Sequence, residues 1–163
     1  MKTLYLVRHA KAVREEESLS DYERPLRNKG MRSIHGVIKK LKEKNTQPDI
    51  LYSSHAMRAI QTATLIFRGL ELPQEAFSLC PSLFEGPLSD YVSVMRSIPE
   101  KCRSAMIIGH NPAITRWTAK SSANRQKTQS LGWQQELPLQ RINPLPLVAD
   151  LLEKNSRYSE SVI

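Results

Sequence analysis

Four short apolar runs, at residues 3–7, 49–54, 76–84 and 104–110, punctuate the first 110 residues of this chain. Stretches of helical period separate them. Residues 3–7 read as a buried strand, 49–54 as a second short strand, 76–84 as a short strand and loop, and 104–110 as another buried strand. Between the first two, Met31, Ile34, Val37, Ile38 and Leu41 recur at helical spacing over 28–44, with lysines opposite. Ile60, Ala63, Ile66 and Phe67 do the same over 55–67. A third helix is expected over 89–98, with Ser89 as its cap, and a fourth after the last strand, capped by Asn111 with Pro112 in its first position. The polar stretch 13–27, ending in "RPL", reads as a loop, and "QPD" (47–49) as a break. Strands alternating with helices in this way predict an α/β fold around a mostly parallel sheet.

The 163 residues suit one domain, and 40% hydrophobic with 25% charged residues is the balance of a chain with a sizeable core. No apolar run is long enough to span a membrane. The amino terminus lacks the basic, apolar and small-residue order of a secretory signal, so a cytoplasmic location is expected. Cys80 and Cys102 have neither metal nor redox spacing and read as reduced structural thiols. The net charge of +8 raises a nucleic-acid reading, but the cations are dispersed. The one dense block, "KKLKEK" (39–44), falls on the polar face of a helix. Aromatics make up only 6% and do not interleave with basic residues as a stacking platform requires. An anionic substrate is the more economical use of the charge, and neither nucleic acid nor membrane is expected as a partner.

In parallel sheets, ligands gather beyond the carboxyl ends of the strands. There this sequence places Arg8 and His9 after the first run, Arg58 shortly after the second, and His110 after the fourth. Crowding so much positive charge is unfavourable unless an anion compensates it. A phosphoryl group does so well, because a guanidinium binds its oxygens in a bidentate fork.

At these residues the sequence resembles the histidine phosphatase, or phosphoglycerate mutase-like, superfamily. "RHA" (8–10) is similar to its RHG signature, with Ala10 in place of glycine. "YSSHAMRAIQTA" (52–63) resembles its S-x-x-x-R-x-x-Q-T-A segment, and "IIGHNP" (107–112) its late G-H motif. "DYERPLRNKG" (21–30) is similar to the R-P-L-x-x-x-G loop of the short SixA-type phosphohistidine phosphatases. The resemblance implies a three-layer α/β/α sandwich of phosphoglycerate mutase-like fold. It implies His9 as a nucleophile that carries a transient phosphoryl group, with Arg8, Arg58 and His110 on the phosphoryl oxygens. Neither metal nor other cofactor is implied. Asn111 joins the phosphate-binding candidates, and Arg24 either extends the anion site or orders its own loop. Glu85, in "SLFEGPL", is the candidate general acid, with a plain loop glutamate as the alternative. Ser54 is expected to cap the following helix rather than touch phosphate, and His35 and His55 are expected to be structural.

Beyond Thr115 the likeness ends. Where SixA-type relatives continue with a helix and a strand, residues 116–163 are polar and proline-spotted. Codon degeneracy allows the stretch from Gly132 to Leu139, read out of frame, to encode an apolar strand of the missing type. A frame shifted after about Thr115 and a tail particular to this chain are the two readings. The expected activity is metal-independent hydrolysis of phosphohistidine on a protein or of a small phosphate ester. A non-catalytic phosphate- or phosphoprotein-binding module is the alternative, and the sequence does not specify an oligomeric state.

Overall fold

A computed structural model of the chain describes residues 3–14, 20–111 and 113–114. Pro112 and the 116–163 tail, with the question of its reading frame, lie outside the described residues. Among the described residues four strands, β1 (Thr3–Arg8), β2 (Ile50–Ser53), β3 (Phe77–Leu79) and β4 (Ser104–Gly109), form one sheet in the order β1-β4-β2-β3. Every pairing is parallel. Three helices connect them: α1 (Asn28–Glu43), α2 (Met57–Gly69) and α3 (Leu88–Arg96). The expected 76–84 strand and loop resolves into a short strand flanked by two single turns of 3₁₀ helix, Gln74–Ala76 and Pro81–Leu83.

The period-two alternation of strand side chains divides the apolar residues between two cores. On one face Tyr5, Val7, Leu51, Met106 and Ile108 pack with Ile34 of α1 and with Ala59, Ile60, Ala63 and Ile66 of α2. On the other, Leu4, Leu6, Ile50, Tyr52, Ala105 and Ile107 pack with Tyr91, Val94 and Met95 of α3 and with Ala113 and Ile114. The sheet is thus the middle of three layers. Ile107 and Ile108 are both fully buried, one on each face, which is why the fourth run carries no polar alternation. Each such side chain contributes roughly 1.5–3 kcal/mol of transfer free energy.

The third helix begins one residue earlier than expected. Pro87, not Ser89, occupies its cap position, and the Ser89 hydroxyl turns to the Asp90 carboxylate at 3.3 Å. Proline there fixes the entering backbone without any side-chain cap, and Asp90 in the first turn suits the positive helix end. Of the expected fourth helix, the described residues include Ala113 and Ile114, whose Ile114 N–H donates to the His110 carbonyl at 3.3 Å.

Candidate active site

Sheet register assembles the site. Arg8 of β1 pairs with Gly109 of β4, so His9 and His110 leave the sheet side by side. The ladder continues past both strand ends: the His9 N–H donates to the Gly109 carbonyl at 3.1 Å, and the Ser54 N–H to the Ile108 carbonyl at 3.0 Å. The His9 and His110 rings lie with centroids 5.0 Å apart, about one strand spacing. Arg58, the second residue of α2, is only 5% exposed, and its Nε–H donates to His9 Nε2 at 3.2 Å.

Hydrogen bonding fixes the His9 tautomer. Nδ1 lies 2.8 Å from the Ala10 carbonyl, which can only accept, so the ring proton sits on Nδ1. Nε2 keeps its lone pair, the one that meets Arg58. Burial lowers the His9 pKa from the ordinary 6.5, the Arg58, Arg8 and Arg24 charges add to the effect, and the Ala10 hydrogen bond opposes it. His110 is pushed further, to about 3, first by burial and then by the Arg58 and His9 charges. Both shifts favour uncharged rings, and on His9 the nitrogen that keeps its lone pair is Nε2.

The sequence motifs around these residues are explained by tethering contacts. Thr62 Oγ1 donates to the Arg58 carbonyl at 2.7 Å and accepts the Ala10 N–H at 3.1 Å, tying α2 to the segment after β1. Gln61 Oε1 accepts the Leu26 N–H at 2.6 Å, anchoring the "RPL" loop. That loop runs antiparallel to residues 11–13 through an Ala12–Leu26 bridge and an Arg27 N–H bond to the Lys11 carbonyl at 2.9 Å. Gly30 completes the motif, because a Cβ there would come within 2.3 Å of the Lys11 carbonyl oxygen.

Ser54 departs from expectation. Ala56 holds the cap position of α2, and Ser54 Oγ, fully buried, sits 2.8 Å from His110 Nε2 while accepting the Ala56 N–H at 3.3 Å. A hydroxyl on the turn out of β2 lies across from the end of β4, so it meets the neighbouring strand's histidine before it can reach the helix amides. Tyr91 also secures His110: its hydroxyl accepts the His110 N–H at 2.9 Å and donates to the Leu83 carbonyl at 3.1 Å.

A cavity of about 490 Å³ opens over these groups, lined by Arg8, His9, Arg24, Arg58, His110 and Asn111 together with Ala10, Lys11 and Ala12. All six residues expected around the anion therefore share one hollow. Glu85 is exposed on the rim of an adjoining hollow of about 280 Å³ that shares Arg58, His110 and Asn111 with the first. A larger hollow of about 530 Å³, between the carboxyl ends of α1 and α2, contains none of these groups. His35 is exposed on α1, and His55 packs among Tyr22 and Phe84 with ring centroids 4.8 and 5.6 Å away.

Sequence reading missed Asp21 and Phe84. Asp21 joins two of the three arginines of the cavity: Arg58 Nη2 donates to its Oδ2 at 2.7 Å, and Arg24 Nε to its Oδ1 at 2.8 Å. Arg58 Nη1 also donates to the Asp21 backbone carbonyl. Burial opposes ionisation of this carboxylate, but the bonds from Arg58 and Arg24 outweigh it and hold the pKa below the ordinary value. Arg24 lines the cavity and holds its own loop through a bond to the Val13 carbonyl at 2.9 Å. The Phe84 ring stands edge-on to His110 with centroids 5.6 Å apart and lies under the Arg58 guanidinium at 5.7 Å. An acid inside the "DYERPL" segment was the available clue to Asp21; nothing local marks Phe84.

Two imidazoles thus stand beside guanidinium groups at the carboxyl end of a parallel sheet, where ligands gather in folds of this kind. The family model of the histidine phosphatase superfamily (branch 1) matches residues 4–85, and this chain belongs to that superfamily. The fold agrees. A protein from Agrobacterium tumefaciens assigned as the phosphohistidine phosphatase SixA superposes with a TM-score of 0.69 at 23% identity, covering 77% of this chain and 80% of that one. The protein histidine phosphatase SixA complexed with tungstate gives 0.65 at 20% identity, covering 83% of each chain. Phosphoglycerate mutase from Plasmodium falciparum gives 0.54 at 21% identity, covering 74% of this chain and 68% of that one. No curated protein matches the chain by sequence. Among the described residues no helix is long and apolar enough to cross a membrane.

Proposed function

We propose that this protein is a cytoplasmic, metal-independent phosphatase that works through a phosphorylated His9 and acts on phosphohistidine in a protein or on a small phosphate ester. The observation that carries this reading is the Nε2 lone pair of His9, freed by the Nδ1–Ala10 bond and aimed at the guanidinium of Arg58. Nε2 attacks phosphorus, the bond from phosphorus to the leaving atom breaks, and that atom takes up a proton. Arg8, Arg58 and His110 hold the three peripheral oxygens, where charge spreads in the transition state. Water then attacks the phosphorus of phospho-His9; the P–N bond breaks, inorganic phosphate leaves, and the imidazole is restored. Glu85 is the proton donor for an ester leaving group. An imidazole leaving group is itself basic and needs less assistance, which favours phosphohistidine for so open a site.

Incubation with an aryl phosphate and with a phosphohistidine-bearing protein, each with and without a chelator, tests the reading. Turnover insensitive to chelation and abolished in His9→Ala is expected. Binding of the phosphoprotein without turnover assigns the chain instead to a non-catalytic phosphate-binding module.

A further inference from the structure

Arg58 has five N–H donors in a planar fork, and the fork has edges. Asp21 occupies one edge: Nη2 donates to its carboxylate at 2.7 Å and Nη1 to its backbone carbonyl. The adjacent edge, which runs from Nε to the second hydrogen of Nη2, faces His9, because Nε–H already reaches His9 Nε2 at 3.2 Å. An oxyanion bound at His9 therefore meets the edge that Asp21 leaves open.

We propose that Asp21 is a positioning residue that holds the Arg58 guanidinium by its outer edge and so presents the inner Nε/Nη2 edge to the phosphoryl group at His9. The inference rests on the reading of this cavity as a phosphoryl site. Three features support it. The Arg58 side chain is 6% exposed, so its cation needs a nearby counter-charge, and among the described residues Asp21 is its salt-bridge partner. The carboxylate is tied on its other oxygen to Arg24, at 2.8 Å, so it cannot swing with Arg58. Asp21 also sits in a 3₁₀ turn (Asp21–Glu23) closed by Ser20, whose hydroxyl donates to the Glu23 carboxylate at 2.6 Å. A free arginine side chain samples many rotamers; one clamped at its far edge has lost that freedom before the substrate arrives.

A double-mutant cycle tests this. Asp21→Asn, Arg58→Lys and the double variant are compared with the parent for turnover of an aryl phosphate and, separately, for tungstate binding by calorimetry. Lysine has no edges to orient, so Asp21 should matter only while Arg58 is present. In Asp21→Asn, kcat is expected to fall about tenfold with KM changed less than about threefold, and the tungstate Kd to rise about tenfold. In the Arg58→Lys background the same change should move either quantity by less than about twofold. Asp21→Glu, which keeps the carboxylate, should recover most of the loss. Asp21→Asn keeps an oxygen for Arg58 but removes the counter-charge of a buried cation, so some loss of melting temperature is expected, and turnover and binding are compared at a temperature where every variant is folded. Equal losses with and without Arg58 would make Asp21 a general structural residue and overturn the proposal. Unchanged or tighter tungstate binding in Asp21→Asn would make it a competitor of the anion and overturn it equally. Tungstate binding in a parent without turnover defeats the phosphatase reading alone, and the cycle is then read from the binding arm.

Discussion

The rings of His9 and His110 stand 5.0 Å apart because the residues before them, Arg8 and Gly109, are partners in the parallel ladder of β1 and β4. Burial first, and then the neighbouring charges (Arg58 and Arg8 for His9, Arg58 and His9 for His110), disfavour protonation of both rings. Both have pKa values below 6.5 in the folded protein, His110 at about 3.

The pH dependence follows in sign. Between pH 6.5 and about 3 the unfolded chain binds a proton at position 110 that the folded chain refuses. Stability is therefore fully present above 6.5 and is lost as pH falls below it. For one proton the slope is at most about 1.4 kcal/mol per pH unit, and solvent at the open cavity lowers it. Denaturant titrations from pH 7 down to 4 should show falling midpoints, with a shallower fall in His110→Gln. The acid limb of kcat/KM should have an apparent pKa below 6.5, since the nucleophile must be unprotonated. Greater stability at pH 5 than at pH 7 would contradict this account of the two histidines.

Ser54→Ala removes the partner of His110 Nε2 inside a fully buried contact. An orphaned buried nitrogen costs about 1–3 kcal/mol, so the melting temperature should fall by several degrees. Turnover should fall as well, because the ring is then oriented mainly by packing. A helix cap alone would lower stability and leave kcat unchanged.

Gly30→Ala sets two effects against each other. Alanine is the better helix former, by up to roughly 1 kcal/mol over glycine in a helix interior and less in the first turn, where Gly30 sits. The new Cβ, however, would lie 2.3 Å from the Lys11 carbonyl oxygen, and backbone cannot yield as a flexible side chain does. Overpacking of this kind costs about 1–3 kcal/mol, so net destabilisation is expected by thermal melting. Lys11 and Ala12 line the cavity, so kcat/KM should fall too. Unaltered activity with raised stability would show that the "RPL" loop does not brace the site.

The strands and helices were legible because burial on both faces leaves a plain mark: Ile107 and Ile108 are adjacent, and both are needed in a core. The gathering of the candidate residues in one cavity was legible for a related reason. Parallel strands deliver their carboxyl ends to one place, so His9, Arg58 and His110 could be brought together without knowing the strand order. Residues that act through others were not legible. Asp21 looks like any loop acid until the fold carries it to Arg58, 37 residues further along the chain. Ser54 satisfies every local criterion for a cap, but its hydroxyl is claimed by a histidine 56 residues away. Tyr91 falls on a helical stripe and reads as core, which it is, and its hydroxyl also holds the His110 amide. Side-chain hydrogen bonds between distant elements leave no periodicity to read.

The most direct measurement is to trap the covalent intermediate. Brief exposure to a radiolabelled phosphoryl donor, followed by a quench in denaturant, should leave label on the protein that survives alkali and is lost in acid, as a phosphoramidate bond requires. Peptide mapping should place that label on His9, and His9→Ala should take up none. Label that survives acid, or that maps to another residue in a protein that turns over normally, would contradict His9 as the nucleophile.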